Sequence, residues 1–237
     1  MTVQSVDRLL ETIADWLLPP RCVLCGQPGQ RPALDLCVDC ETALPADSLP
    51  LRPGPAPLDR CFAPLAYGFP VDHLVQLLKY RGQMAVGRVL GSLLARSVRP
   101  LGLHLDVDCI VPVPLHPERH ADRGFNQSAE IARRVARVLG CRCELRAVRR
   151  ARSTRPQVGL RPQARRANML GAFVAAPQLR GRRVVVVDDV LTTGATVGAV
   201  AMALREAGAA SVDAWCIARA APQDRIDLPF PIEARRA

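Results

Sequence analysis

The chain has 237 residues, 49% of them apolar, which is enough for one α/β domain with a small appendage and a packed core, and excludes a disordered chain. No run of about 18 uncharged apolar residues occurs, which excludes a membrane-spanning helix. The N-terminus lacks the basic start, long apolar core and small-residue cleavage site of a secretory signal, so a cytoplasmic location is expected. The net charge is +10, and Lys79 is the only lysine. Arginine forks suit phosphate or nucleic acid. The same bias, spread along the whole chain, is equally what a GC-rich coding sequence produces.

Over 4–18, Val6, Leu9, Leu10, Ile13 and Leu17 recur at helical spacing, which predicts a short amphipathic helix closed by Pro19-Pro20. Such a helix packs on its own protein. Cys22, Cys25, Cys37 and Cys40 follow as C-x2-C-x11-C-x2-C. Each pair forms a tight knuckle that points two thiolates at one ion, and two knuckles complete a tetrahedral shell. Four thiolates leave no open position, so the expected ion is a structural Zn²⁺ that supplies folding energy rather than chemistry. The remaining cysteines, Cys61, Cys109, Cys141, Cys143 and Cys216, sit mostly among apolar neighbours and read as buried small residues. Pro45, Pro50, Pro53, Pro55 and Pro57 argue against helix or strand over 44–57. An extended linker is expected there, which places one unit at 1–57 and a second at 58–237.

In the second unit an edge strand is predicted over 61–67. A helix with Val71, Leu74, Val75 and Leu78 on one face follows, then another with Val86, Val89, Leu90, Leu93 and Leu94. "VDCIVPVP" reads as a buried strand ending in prolines. Asn126 caps the next helix, which buries Ile131, Val135, Val138 and Leu139, turns Arg133, Arg134 and Arg137 outward and stops at Gly140. A strand is predicted over 143–148, and an arginine-rich loop over 149–168. The β-branched run Val184–Val187 is a central strand ending in Asp188 and Asp189. Its helix carries Val197, Val200, Ala201 and Leu204 and stops at Gly208, before a last strand over 211–218. Alternating strands and helices predict a mainly parallel, doubly wound sheet, with ligands at the carboxyl ends of its strands.

At that edge Thr192-Thr193-Gly194-Ala195-Thr196 joins strand to helix. The first amides of the helix have no internal acceptor, Gly194 admits close approach, and Thr192, Thr193 and Thr196 add hydroxyls, which suits a phosphate monoester. Asp188 and Asp189 would repel that phosphate. They suit two adjacent sugar hydroxyls, directly or through Mg²⁺, about one sugar away. The chain has no P-loop Gly-Lys-Ser/Thr and no G-x-G-x-x-G after a strand.

Val184–Thr196 resembles the phosphoribosyl pyrophosphate (PRPP) signature of type I phosphoribosyltransferases at every position. The wider chain, over roughly 20–220, resembles the ComF family (ComFC/GntX-like proteins). It shares the four-cysteine motif, "LLKYRGQ" (77–83), "DCIVPVPLHPERHADRGFNQS" (108–128) and "TRPQVGLRPQARRANMLGAF" (154–173), in that order.

The resemblance implies a type I phosphoribosyltransferase fold with a small N-terminal zinc-ribbon-like domain built on the four cysteines. Asp188 and Asp189 become the catalytic, ribose-binding pair, and Thr192, Thr193, Gly194, Ala195 and Thr196 the 5′-phosphate loop. The loop after the first core strand, Val113-Pro114-Leu115, would bind pyrophosphate through a cis peptide, helped by Arg119 and Arg123. Gln157, Arg165, Arg166 and Asn168 fall on a lid that excludes water. Lys79, Tyr80, Asn126 and Gln127 match the family with no assigned step. Three functions are compatible with this pattern. One is phosphoribosyl transfer to an acceptor, including nucleobase salvage. Another is PRPP-dependent support of natural transformation through incoming single-stranded DNA. The last is a non-catalytic zinc adaptor that docks a DNA-uptake helicase or channel.

Overall fold

The computed structural model of the chain describes residues 19–30, 34–151 and 171–220. The helix expected over 4–18 lies outside them, as does the lid segment that carries Gln157, Arg165, Arg166 and Asn168. The described chain begins with a cysteine hairpin closed by the bridges Arg21↔Pro28 and Gln30↔Leu34 and by helix α1 (Val38–Thr42). Strands β1 (Leu51–Pro53), β2 (Arg60–Phe62) and β3 (Leu65–Ala66) lead to α2 (Val71–Arg81) and α3 (Met84–Val98). Next come β4 (Cys109–Pro112), α4 (Pro117–Arg123), α5 (Gln127–Leu139), β5 (Arg142–Cys143) and β6 (Val148–Arg150). The chain continues through β7 (Phe173–Ala175), β8 (Arg183–Leu191), α6 (Ala195–Glu206) and β9 (Ser211–Arg219).

The main sheet has the order β1-β2-β9-β8-β4-β5, with β3 also on β9. Only β1–β2 is antiparallel; the other pairings within it are parallel. This is the mainly parallel, doubly wound α/β sheet that the alternation predicts. Strand periodicity of two sorts its side chains into two cores. Val184, Val186, Val111, Val212 and Ala214 face α6 and the antiparallel β6–β7 pair. Val185, Val187, Ile110, Trp215 and Ile217 face α2, α3 and α5.

Helix α3 is apolar nearly all round because it is covered on both sides. Val86, Leu90 and Leu94 enter the second core, while Val89 and Leu93 pack with Cys22, Leu34 and Leu36 of the cysteine hairpin. Arg88–Asp35 and Arg96–Glu41 ion pairs border that contact.

Several expectations are corrected. Leu51–Pro53, within the stretch expected to hold no strand, is β1; it pairs on one side only, where proline is tolerated because no ladder donor is needed on the open side. The strand expected over 61–67 is split into β2 and β3 at Pro64, and both run along β9. The strand expected over 143–148 is two pieces: β5 ends at Cys143, a turn intervenes, and β6 joins the separate β6–β7 pair. Arg134 does not face outward; its Nε donates to Ser92 Oγ at 2.8 Å, between α3 and α5. Strand β8 does not stop at the aspartates but pairs with β9 as far as Leu191↔Arg219.

The α3–α5 contact depends on Gly91. A Cβ there would lie 2.6 Å from Arg134 Cβ and 2.9 Å from the Ile131 carbonyl oxygen, which is backbone and cannot swing away. Overpacking costs about 1–3 kcal/mol, offset by about 1 kcal/mol of helix propensity. Gly91→Ala is therefore expected to lower the unfolding temperature. Gly87→Ala, whose nearest neighbours would be side-chain atoms at 3.4 Å, is the matched control and should be neutral or stabilising in the same melts.

Candidate functional site

The sulfurs of Cys22, Cys25, Cys37 and Cys40 lie within 4.8 Å of one another, the only such cluster of metal-ligating groups among the described residues. A tetrahedral Zn²⁺ with Zn–S near 2.3 Å needs sulfurs about 3.8 Å apart; Cys25 Sγ and Cys37 Sγ are 3.6 Å apart. Burial pushes the Cys22 thiol up, but hydrogen bonds from the Cys37, Cys25 and Leu24 backbones more than offset it and bring it down to about 6. The neighbouring Cys37 thiol pushes Cys40 well up. A dication at the centre removes that conflict, so the donor set fits zinc.

The second cluster lies on the last part of β8. Asp188 Oδ1 accepts from Ser128 Oγ at 2.8 Å and from the Asp189 amide at 3.0 Å. Ser128 is placed there by the start of α5, where Asn126 Oδ1 caps the Ser128 amide at 3.0 Å and Asn126 Nδ2 donates to the Val113 carbonyl at 2.9 Å. Burial, and then the adjacent Asp189 charge, raises the Asp188 carboxyl to about 7, against the pull of Ser128 and Lys79.

Asp189 is only 5% exposed. Its Oδ1 accepts from Lys79 Nζ at 2.9 Å, and its Oδ2 is buried with no partner among the described residues. Desolvation lowers Lys79, but the Asp189 charge and hydrogen bond more than reverse this, so the ammonium keeps its proton. A buried carboxylate oxygen left open is costly unless something arrives to fill it. A sugar hydroxyl or a hard cation such as Mg²⁺ fits that oxygen.

Downstream, Gly194 takes the left-handed conformation (φ +72°) at the N-cap of α6 and offers no side chain to cap the helix. Thr193 Oγ1 accepts from the Ala195 amide at 3.3 Å. The next amides have no acceptor within the helix, and Thr193, Gly194, Ala195 and Thr196 are half-buried, with Thr192 exposed. Substitution at Gly194 would be strained at this φ.

A cleft of about 690 Å³ is lined by Lys79, Tyr80, Arg119, Arg123, Phe125 and Gln127, among others. Arg123 stacks on the Tyr80 ring at 5.3 Å and donates to Gln127 Oε1 at 3.2 Å. Arg119 is exposed. The loop between β4 and α4 departs from the expected cis turn. The cis peptides among the described residues are Ala56–Pro57 and Phe69–Pro70, and the Val113 amide donates to the Val187 carbonyl at 3.0 Å. The chain thus brings Lys79, Tyr80, Arg119, Arg123 and Gln127 to one cleft, with Lys79 reaching out of it to Asp189. Nothing in the sequence singles out Ser128, although it follows directly on Asn126-Gln127; a hydroxyl at the first turn of a helix reads as a capping residue, and only the fold points it at Asp188.

Residues 126–230 match the profile described as the phosphoribosyl transferase domain, and residues 13–51 the one described as the double zinc ribbon domain. The DNA utilization protein YhgH of Escherichia coli K12 is 37% identical over 207 residues, covering 84% of this chain and 89% of that one. The chain belongs to the ComF family. Competence protein F of Haemophilus influenzae, a further ComF relative, is 34% identical over 64% of this chain and 69% of its own. Among solved structures, the glutamine PRPP amidotransferase of B. subtilis aligns at 25% identity and a TM-score of 0.38, over 55% of this chain and 25% of that one. The phosphoribosyl transferase match and the mainly parallel sheet give this ComF-family chain a type I phosphoribosyltransferase fold, and the double zinc ribbon match and the four-sulfur cluster give it an N-terminal zinc-binding unit. No described helix is long and apolar enough to cross a membrane.

Two outcomes are expected. The folded chain binds a proton at Asp188 with a value of about 7, against 3.8 for a free aspartate. Between pH about 4 and about 7 the native state then holds more protons than the unfolded one, so stability falls as pH rises through that window and levels off above it. Asp188→Asn should flatten this slope in urea unfolding curves taken from pH 5 to 8. Chelation of the purified chain should release one zinc per chain, counted by atomic emission, and lower the unfolding temperature, because the hairpin that covers Val89 and Leu93 loses its organising ion.

Proposed function

We propose that this chain binds PRPP with Mg²⁺ at the carboxyl edge of β8 and β4, and that it serves the use of incoming DNA in the cytoplasm. The observation that carries the ligand reading is the open, buried Oδ2 of Asp189, on the strand that leads into a phosphate-type helix start and paired through Oδ1 with Lys79 of a basic cleft. In this reading Thr192–Thr196 hold the 5′-phosphate, and Asp188 and Asp189 hold the ribose hydroxyls. Arg119 and Arg123 face the pyrophosphate, together with the Val113-Pro114-Leu115 loop. Mg²⁺, when bound with the diphosphate, would neutralise charge on the leaving group. The side chains described here bind and orient; Gln157, Arg165, Arg166 and Asn168 are assigned to a covering lid that excludes water.

Residues 1–57 and 58–237 are then two functional units, the first scaffolding and the second ligand-binding. The DNA role is supported by the relatives' names, DNA utilization protein and competence protein F, and by the net charge of +10. With aromatic residues at only 4%, binding of single-stranded DNA would be mainly electrostatic and would weaken steeply with salt. Phosphoribosyl transfer to an acceptor is part of the same reading: a nucleophile attacks C1 and pyrophosphate leaves.

Calorimetric titration with PRPP and Mg²⁺ tests it. Wild type should bind, and Asp189→Asn should lose at least about tenfold in affinity, on the order of one charge-assisted hydrogen bond. Equal affinity in a folded Asp189→Asn chain would refute the assignment of the acidic pair. Absence of binding in folded, zinc-loaded wild type would refute PRPP as the ligand.

A further inference from the structure

All but one of the 32 basic side chains outside histidine are arginine. The exception, Lys79, stands in the last turn of α2 and reaches across 110 residues of sequence to Asp189. In a chain that otherwise writes arginine throughout, a lysine as the cation that, among the described residues, pairs with the buried Asp189 carboxylate calls for a chemical reason.

Geometry supplies it. The ammonium engages Oδ1 of Asp189, at 2.9 Å, and Oδ2 has no partner among the described residues. A guanidinium presents a planar fork that matches both oxygens of a carboxylate at once. At this position it would close Oδ2 and hold the carboxylate in a paired state. A single ammonium compensates the charge at one point, leaves the second oxygen available, and keeps two more N–H donors. Lys79 also lines the cleft that holds Arg119, Arg123 and Gln127, so those donors border the basic cleft. Its side chain is 22% exposed and that of Asp189 7%, so water screens the pair poorly.

We propose that Lys79 is a single-point, displaceable counter-ion that holds Asp189 open toward a divalent cation delivered with a diphosphate ester and disfavours free divalent cation at the same place. This deepens the PRPP reading and rests on it for the identity of the diphosphate. Lys79 is a positioning residue in this scheme, acting through Asp189. In the free chain its charge repels a bare dication. When the cation arrives already bound to a diphosphate, the ammonium can turn its remaining donors to the ligand's anionic oxygens, so the repulsion is converted to attraction. The site thereby selects the complex over the bare ion.

The test uses the full zinc-loaded chain and Mn²⁺ as probe, read by electron paramagnetic resonance of free Mn²⁺, with and without PRPP. Wild type should bind Mn²⁺ alone weakly and Mn²⁺ with PRPP tightly. Lys79→Gln should bind Mn²⁺ alone more tightly, on the order of tenfold, because one positive charge next to Asp189 is gone, and should lose affinity for Mn²⁺ with PRPP. Lys79→Arg keeps the charge but closes Oδ2, and should lose affinity for Mn²⁺ with PRPP as well. Unchanged affinity for Mn²⁺ alone in Lys79→Gln, or wild-type affinity for Mn²⁺ with PRPP in Lys79→Arg, overturns the proposal. If Lys79→Gln does not fold, the arginine variant decides, since it leaves no buried charge unpaired. If wild type binds no PRPP, the PRPP reading fails by itself, and the Mn²⁺-alone arm judges Lys79 separately.

Discussion

Two neighbouring carboxylates on a buried strand are the constraint on which the site turns. Charges removed from water and set side by side cannot both stand ionised without help. Here the help comes from two different helices. Asp188 holds its proton to about 7 and takes a hydroxyl from Ser128 at the start of α5. Asp189 takes an ammonium from Lys79 at the end of α2. One oxygen, Asp189 Oδ2, is left over. The sheet could not hold this arrangement without those two helices, so the placement of α2 and α5 is as much a part of the site as the strand itself.

That placement depends on α3. It is packed against α5 closely enough that Gly91 meets the Ile131 backbone and Arg134. Its other side is covered by the cysteine hairpin through Val89 and Leu93. The sequence of α3 records both contacts: its apolar residues occur at more positions than one buried face requires, and this makes sense only with a partner on each side.

Much of the architecture is legible from residue patterns because each pattern has a local cause. The β-branched run at Val184–Val187, the Asn126 cap and the stop at Gly140 follow from strand burial, from a side-chain acceptor for a free amide and from a left-handed glycine. The failures share a cause as well. Whether Leu51–Pro53 forms a strand is decided by the open edge of β2, itself laid on β9 near the other end of the chain, not by proline content. The same holds for Arg134, which looks like an outer arginine by spacing and is drawn inward by Ser92 on another helix. Of the candidate site, the aspartates and the Thr-Gly-Ala-Thr loop are legible because they are contiguous. Ser128 has no legible role in the sequence, and Lys79 no assigned step, because their meaning lies in partners 60 and 110 residues distant.

The zinc hairpin gains a physical purpose from this arrangement that does not require it to touch a ligand. Among the described residues it buries few apolar side chains of its own, and Leu34 and Leu36 are shared with α3. A metal that orders the hairpin therefore also covers Val89 and Leu93, and fixes one side of the helix whose other side positions α5 and α2. Loss of the ion would expose that apolar side and loosen the element between the two helices that present Ser128 and Lys79 to the aspartates. An ion held by those four sulfurs would have no open position for a substrate, yet the balance of charge at Asp188 and Asp189 depends on the scaffold it would complete.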